Sequence, residues 1–170
     1  LAGLMGMCGN YKLPGTTKSE IMVISNKCSI LPKSRQDLLE RALDHNCTHV
    51  LFIDSDQTFP TGLLHGLFSH GKALVGCNIP TKTIPANTTA RTFNPNWFGG
   101  DPVYSDESSP KLEKVWRFGC GVMLIDLSVL EGVPKPWFSV TYDEKAKEWV
   151  GEDWNFCALL EAHGVEVYID

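Results

Sequence analysis

Hydrophobic and polar positions along this chain switch between two periods, and each switch predicts an element. Glu20-Ile21-Met22-Val23-Ile24 is a short apolar run and predicts a strand. Ser34 to Asn46 follows a helical period. Leu38, Leu39, Ala42 and Leu43 form its apolar stripe, and Ser34 stands where an N-cap would. Thr48 to Ile53 is again continuous and apolar, the pattern of a strand buried on both faces. A helix is predicted from Phe59-Pro60-Thr61 to about Ser69, closing near Gly71, followed by a buried strand over Ala73–Cys77. Leu1 to Cys8 reads as the end of a helix and Asn10 to Thr17 as a turn-rich loop.

Strand and helix alternating with short links predict an α/β domain with a mostly parallel sheet flanked by helices. From Asn78 to Pro110 this rhythm stops. Pro, Asn, Thr and Gly dominate, and a stretch so long without a period is commonly functional. Val122–Asp126 resumes as a strand entered through Gly119-Cys120-Gly121, and Pro134 to Val140 reads as extended. A helix is expected over Glu152–His163, stopped by Gly164, and a last strand over Val165–Ile169. With no repeats and no dividing linker, residues 1–170 read as one domain. Both ends are abrupt, as in a trimmed domain whose first strand and C-terminal tail are missing.

Composition narrows the class. The 170 residues are 43% hydrophobic and 21% charged, with a net charge of −5 and no Lys/Arg-rich run. That excludes a protein held to nucleic acid by charge alone, while leaving nucleic acid open as a substrate. No apolar run approaches the length of a membrane span and no signal peptide is evident, so a soluble, cytoplasmic protein is expected. The cysteines at 8, 28, 47, 77, 120 and 157 show no metal-ligand spacing and read as reduced thiols of the core.

Three motifs carry candidate chemistry. Asp54-Ser55-Asp56 follows the strand directly, so two carboxylates spaced i, i+2 reach the rim of a sheet. Like charges so close call for a compensating cation, and oxygen ligands suit a hard divalent one. The same residues also suit a polar turn in which Asp56 or Thr58 caps the next helix. Gly151-Glu152-Asp153 opens a helix. Its carboxylates either complement the helix dipole or supply a general base. Gly119-Cys120-Gly121 either lets a ligand approach the backbone or makes a bulge.

Taken in order, Ser34-Arg35, Thr48–Asp56, Phe59-Pro60, Val75–Asn78, Gly119–Ile125, Pro136-Trp137-Phe138 and Gly151–Cys157 resemble the GT-A-fold glycosyltransferases. The likeness is greatest to the short bacterial and phage enzymes of the family-2 type, and it covers most of the chain from Ile21 onward.

The resemblance implies a Rossmann-like GT-A sheet and transfer of a sugar, with inversion, from a nucleotide sugar, most simply a UDP-sugar. It implies Mn²⁺ or Mg²⁺ on Asp56, and Asp54 on the ribose or on the metal through water. Asp153 is the implied catalytic base, with Glu152 touching the acceptor. Gly119, Cys120 and Gly121 would lie under the donor sugar, Ser55 between the two aspartates, and Arg35 near the diphosphate. Residues 78–118 become an irregular insertion on the acceptor side. With Ser139–Val150 they carry Lys82, Arg91, Trp97, Phe98, Tyr104, Tyr142, Lys145, Lys147 and Trp149 around an acceptor that is a glycan or a hydroxymethylated base of phage DNA.

Two departures stand out: the family's first strand is not evident, and the chain ends at Asp170, before the His that many members add to the metal site. His163, and the pairs His45/His49 and His65/His70, read as helix-end and surface residues. The competing readings are a non-catalytic nucleotide-sugar-binding module and a nucleotidyltransferase. The latter would need a basic, Gly-rich phosphate loop after its first strand.

Overall fold

A computed structural model describes residues 12–16, 19–26 and 28–170. The helix end expected over Leu1–Cys8, and Cys8 itself, lie outside the described residues. The elements in chain order are α1 (Leu31–Asp44), β1 (His49–Ile53), α2 (Leu63–Ser69), β2 (Leu74–Gly76), β3 (Arg91–Thr92), β4 (Asp101–Pro102), β5 (Glu113–Val115) and β6 (Val122–Asp126). A 3-10 turn (Leu127–Leu130), β7 (Thr141–Asp143), β8 (Glu148–Val150), α3 (Glu152–Ala162) and β9 (Val167–Ile169) complete them.

The class is α/β, but the sheet is not mostly parallel. Among the described residues its five strands run in the order β1-β6-β2-β9-β5, and only β2 and β9 pair in parallel. β6 lies antiparallel between β1 and β2, and β5 antiparallel to β9. The strand–helix–strand rhythm predicted the direction of β1, β2 and β9, which all point the same way. It could not predict that a strand arriving some fifty residues later would insert between the first two.

Every strand of this sheet obeys a two-residue alternation between two apolar layers. Phe52, Leu74, Met123, Ile125, Val167 and Ile169 face the larger one, where Leu39 and Ala42 of α1 and Phe156, Cys157 and Leu160 of α3 cover them. Val75, Val122 and Leu124 face the other, covered by Leu63, Leu64 and Leu67 of α2. β6 is at most 4% exposed from Val122 to Ile125, as its unbroken apolar run requires.

Several boundaries differ from expectation for local reasons. α1 starts at Leu31, because Pro32 supplies a helix-ready φ in the first turn; Ile30 is the N-cap, and Ser34 is buried inside the helix. The strand expected over Glu20–Ile24 does not form among the described residues, and Met22 and Val23 are exposed. The irregular 78–118 segment contains the short β3–β4 pair and an excursion closed by the Pro80–Thr88 bridge. The β7–β8 hairpin, β5 and the helix start at Leu63 were not predicted; Phe59-Pro60-Thr61 is a turn that precedes α2.

Gly76 marks the tightest point of the sheet. A Cβ there would collide with the Phe118 ring and the Val122 carbonyl, whereas a Cβ on Gly62 would meet nothing within 4 Å. Gly76→Ala is therefore expected to cost about 1–3 kcal/mol by overpacking, and Gly62→Ala to be close to neutral, as measured by urea unfolding.

Candidate active site

The common direction of β1, β2 and β9 brings their carboxyl ends to one rim, where β6 begins. Asp54 continues the parity of Val50 and Phe52, so its side chain falls on the α1/α3 face. Its N–H donates to the Gly121 carbonyl at 2.9 Å, fixing it against the glycine turn that enters β6. A Cβ on Gly121 would sit 3.7 Å from Asp54 Oδ2 and 2.6 Å from Ile79 Cδ1, so a side chain there would push Ile79 aside and stand beside this carboxylate.

Arg35 is the centre of the site. Its Nη2 donates to Asp54 Oδ1 at 3.3 Å and its Nη1 to Glu152 Oε1, with side chains of Arg35 and Glu152 only 6% and 12% exposed. Arg35 heads the buried α1 stripe completed by Leu38, Leu39 and Ala42. Glu152 heads the α3 stripe with Phe156 and Leu160. A charged residue at the head of each of two apolar stripes was the signal in the sequence for this buried pair. Burial works against the guanidinium charge, but neighbouring Cys120, Glu152, Asp54 and Asp153 outweigh it and hold its pKa above the ordinary value. The guanidinium expected beside a diphosphate is thus engaged by two carboxylates, and the Glu152 carboxylate expected at the acceptor is turned inward to meet it.

Asp153 follows Glu152 in the first turn of α3. Its Oδ1 accepts from the Trp154 N–H at 2.8 Å, and the Cys120 N–H lies near enough to favour the charged carboxylate. Burial pushes its pKa up and the Glu152 charge adds to this, while those N–H groups and Arg35 only partly offset them. The Cys120 thiol is buried against Met123, and burial holds it far above the ordinary thiol range. Gly119 packs against Thr89.

Asp56 lies in a turn and not in the strand that ends at Ile53. The Gln57 N–H donates to the Asp54 carbonyl at 3.0 Å, and this turn ends the extended geometry on which the i, i+2 argument depended. The Asp56 carboxylate projects outward, with Ser55 exposed beside it, and is hydrogen-bonded by the Lys82 ammonium, which holds its pKa below the usual carboxylate range. Lys82 stands on the 80–88 excursion.

The donor set fits a divalent cation shared with a ligand, and not one closed in by protein. The side chains of Asp54 and Asp56 are each 44% exposed, and no group of three or more His, Cys, Asp or Glu able to hold a metal occurs among the described residues. A small hard cation takes one or two carboxylates and completes its shell with water and phosphate oxygens. Such a cation would have to displace Lys82 from Asp56.

The fold is similar to that in the crystal structure of A197 from STIV. The TM-score is 0.55 and the identity 18%, over 89% of this chain and 68% of that one. At that identity the likeness concerns the fold alone. No protein-family model and no curated protein matches the chain.

The remaining candidates lie elsewhere. His45, His70 and His163 are the C-caps of α1, α2 and α3, and His163 Nδ1 lies 2.8 Å from the Leu159 carbonyl. Cys28, Cys47, Cys77, Cys120 and Cys157 are free thiols, and burial pushes Cys77 up to about 11 and Cys157 up to about 12. Among the described residues no helix is long and apolar enough to cross a membrane.

Removing one member of the buried pair strands the other. Arg35→Leu is expected to cost about 3–5 kcal/mol, and Arg35→Leu combined with Glu152→Leu to recover much of that loss. Urea denaturation of the two variants checks both expectations.

Proposed function

We propose that this protein transfers a sugar from a nucleoside-diphosphate sugar to an acceptor hydroxyl, with inversion and with a divalent cation. The observation that carries this reading is the convergence at one sheet rim of Asp54 and the Glu152-Asp153 pair, joined through Arg35. One carboxylate of this group is open toward a ligand, and another is held with a raised pKa.

Asp54, Asp56 and the diphosphate oxygens would hold the cation, which when bound supplies Lewis-acid neutralisation of the leaving diphosphate. Asp153 is the base. As the acceptor oxygen attacks the anomeric carbon and the bond to the diphosphate breaks, the hydroxyl proton passes to the Asp153 carboxylate. Its raised pKa brings it closer to the working pH, where a base is most effective. Glu152 and Arg35 act as positioning residues: the ion pair fixes the first turn of α3 against β1. The turn at Gly119–Gly121 leaves room beside Asp54 for the donor.

Asp153→Asn should lower sugar transfer by about 10²–10⁴-fold while Mn²⁺-dependent UDP binding, measured by calorimetry, persists. Asp56→Ala should abolish the Mn²⁺ dependence of that binding. UDP binding that stays fully Mn²⁺-dependent in Asp56→Ala would remove Asp56 from the metal site.

The pH dependence follows from the direction of the Asp153 shift. A base with a raised pKa loses its active form at a higher pH than usual as the solution is acidified. The acid limb of kcat/KM should therefore lie above the ordinary aspartate value of about 3.9. Glu152→Gln removes a like charge, so it should move that limb to lower pH.

A further inference from the structure

Two arginines meet just before the Gly119–Gly121 turn, and the chain supplies neither with a counter-charge. Arg91 of β3 and Arg117 are directly opposed in an isolated antiparallel bridge. The Trp116 and Arg117 N–H groups both donate to the Arg91 carbonyl, at 2.7 and 3.2 Å, and the Arg91 N–H donates to the Arg117 carbonyl at 2.8 Å. Two residues thus oppose one, which is a β-bulge, and a bulge re-aims side chains. Here it lets consecutive residues share a face. The Arg117 guanidinium lies over the Trp116 ring, 3.9 Å from its centroid, and 6.0 Å from that of Trp154. A Cβ on Gly100 would meet both the Trp116 ring, at 3.1 Å, and the Arg91 Cβ, at 3.2 Å, so the Arg91 side chain starts beside the same ring.

Both arginines are half-buried, and among the described residues neither has a carboxylate within ion-pair distance. Arg91 Nη1 is tied to the Thr88 and Ala90 carbonyls, and its other side-chain nitrogens have no partner. Arg117 Nε is buried without a hydrogen-bond partner, and its two Nη groups, which reach solvent, have none either. Burial pushes both pKa values down, partly offset by Tyr104 at Arg91 and by Cys157 and Glu161 at Arg117. Like charges directly opposite one another destabilise a strand pair. At Arg35 the chain answers a buried guanidinium with two carboxylates. Here it offers only the faces of two indoles, which attract a cation without neutralising it.

We propose that Arg91 and Arg117 form a binding site for a small phosphate-class anion, either free phosphate or the terminal phosphate of a monoester. The planar fork of arginine matches phosphate oxygens. Two forks at one point suit a compact dianion better than the spaced single charges of a phosphodiester chain. The net charge of −5 also leaves a polyanion no general attraction. The site does not rest on the glycosyl-transfer reading and needs neither a nucleotide sugar nor a metal.

The test titrates the full chain, in chloride-free buffer with EDTA, with inorganic phosphate, methyl phosphate, dimethyl phosphate and an oligothymidylate without a terminal phosphate. Calorimetry and the rise in unfolding temperature with added anion are the readouts. Inorganic phosphate and methyl phosphate should bind and raise the unfolding temperature. Tighter binding of methyl phosphate assigns the site to a monoester, and tighter binding of inorganic phosphate assigns it to the free anion. Arg91→Gln and Arg117→Gln should each weaken binding by about tenfold or more and flatten the rise. Lys135→Gln, which removes a positive charge bonded to Glu40 instead, should change neither. Arg117→Lys keeps the charge but loses the fork, so it should fall between wild type and Arg117→Gln, and it carries the test if the Gln variant does not fold. A role confined to stacking on Trp116 predicts a lower unfolding temperature in Arg117→Gln with the phosphate response intact, and that result overturns the site. So does wild-type protein that binds no phosphate, an equal loss in Lys135→Gln, or preferential binding of dimethyl phosphate or the oligothymidylate.

Discussion

The Arg35 guanidinium is buried between two carboxylates that come from distant parts of the chain, Asp54 at the end of β1 and Glu152 at the start of α3. Burying a charge is costly unless it is paired and hydrogen-bonded, so these groups cannot drift apart independently. The constraint sets the distance between the carboxyl end of the sheet and the first turn of α3. Everything proposed for the site depends on that spacing. Asp153 owes its place and its raised pKa to the turn that Glu152 anchors, and the β7–β8 hairpin is fastened to the same turn through Asn155.

The sheet supplies the other half of the frame. β1, β2 and β9 deliver their carboxyl ends to one rim although antiparallel strands separate or flank them. The antiparallel insertion of β6 has a direct consequence for the site. A strand running the other way begins where its neighbours end, so its entry turn, Gly119–Gly121, lies beside Asp54. A glycine at 121 then leaves the carboxylate oxygen open.

The elements legible in the sequence were those with a strong period or an unbroken apolar run: α1, α2, α3, β1, β2, β6 and β9. Their order could not reveal that β6 enters between β1 and β2, because neighbours in a sheet are chosen by long-range packing. The short pieces β3, β4, β5, β7 and β8 carry too few residues to show a period. Among site residues, Asp54, Glu152 and Asp153 were legible as polar residues at the ends of apolar elements. The turn that holds Asp56 was not, since the Gln57 N–H bonded to the Asp54 carbonyl ends the two-residue alternation of the strand. Arg35 stands at the head of an apolar stripe, a place that implies burial and a carboxylate partner.

The central claim is that the rim between Asp54 and Asp153 holds a nucleotide and a divalent cation together. A crystal structure of the protein with UDP and Mn²⁺, with anomalous data collected for manganese, tests it most directly. The account predicts one manganese peak bonded to an Asp56 oxygen and to diphosphate oxygens, with Lys82 displaced and the Arg35 pairing retained. Manganese and nucleotide bound away from this rim, or a nucleotide bound there with the Lys82–Asp56 pair intact and no metal, would contradict it.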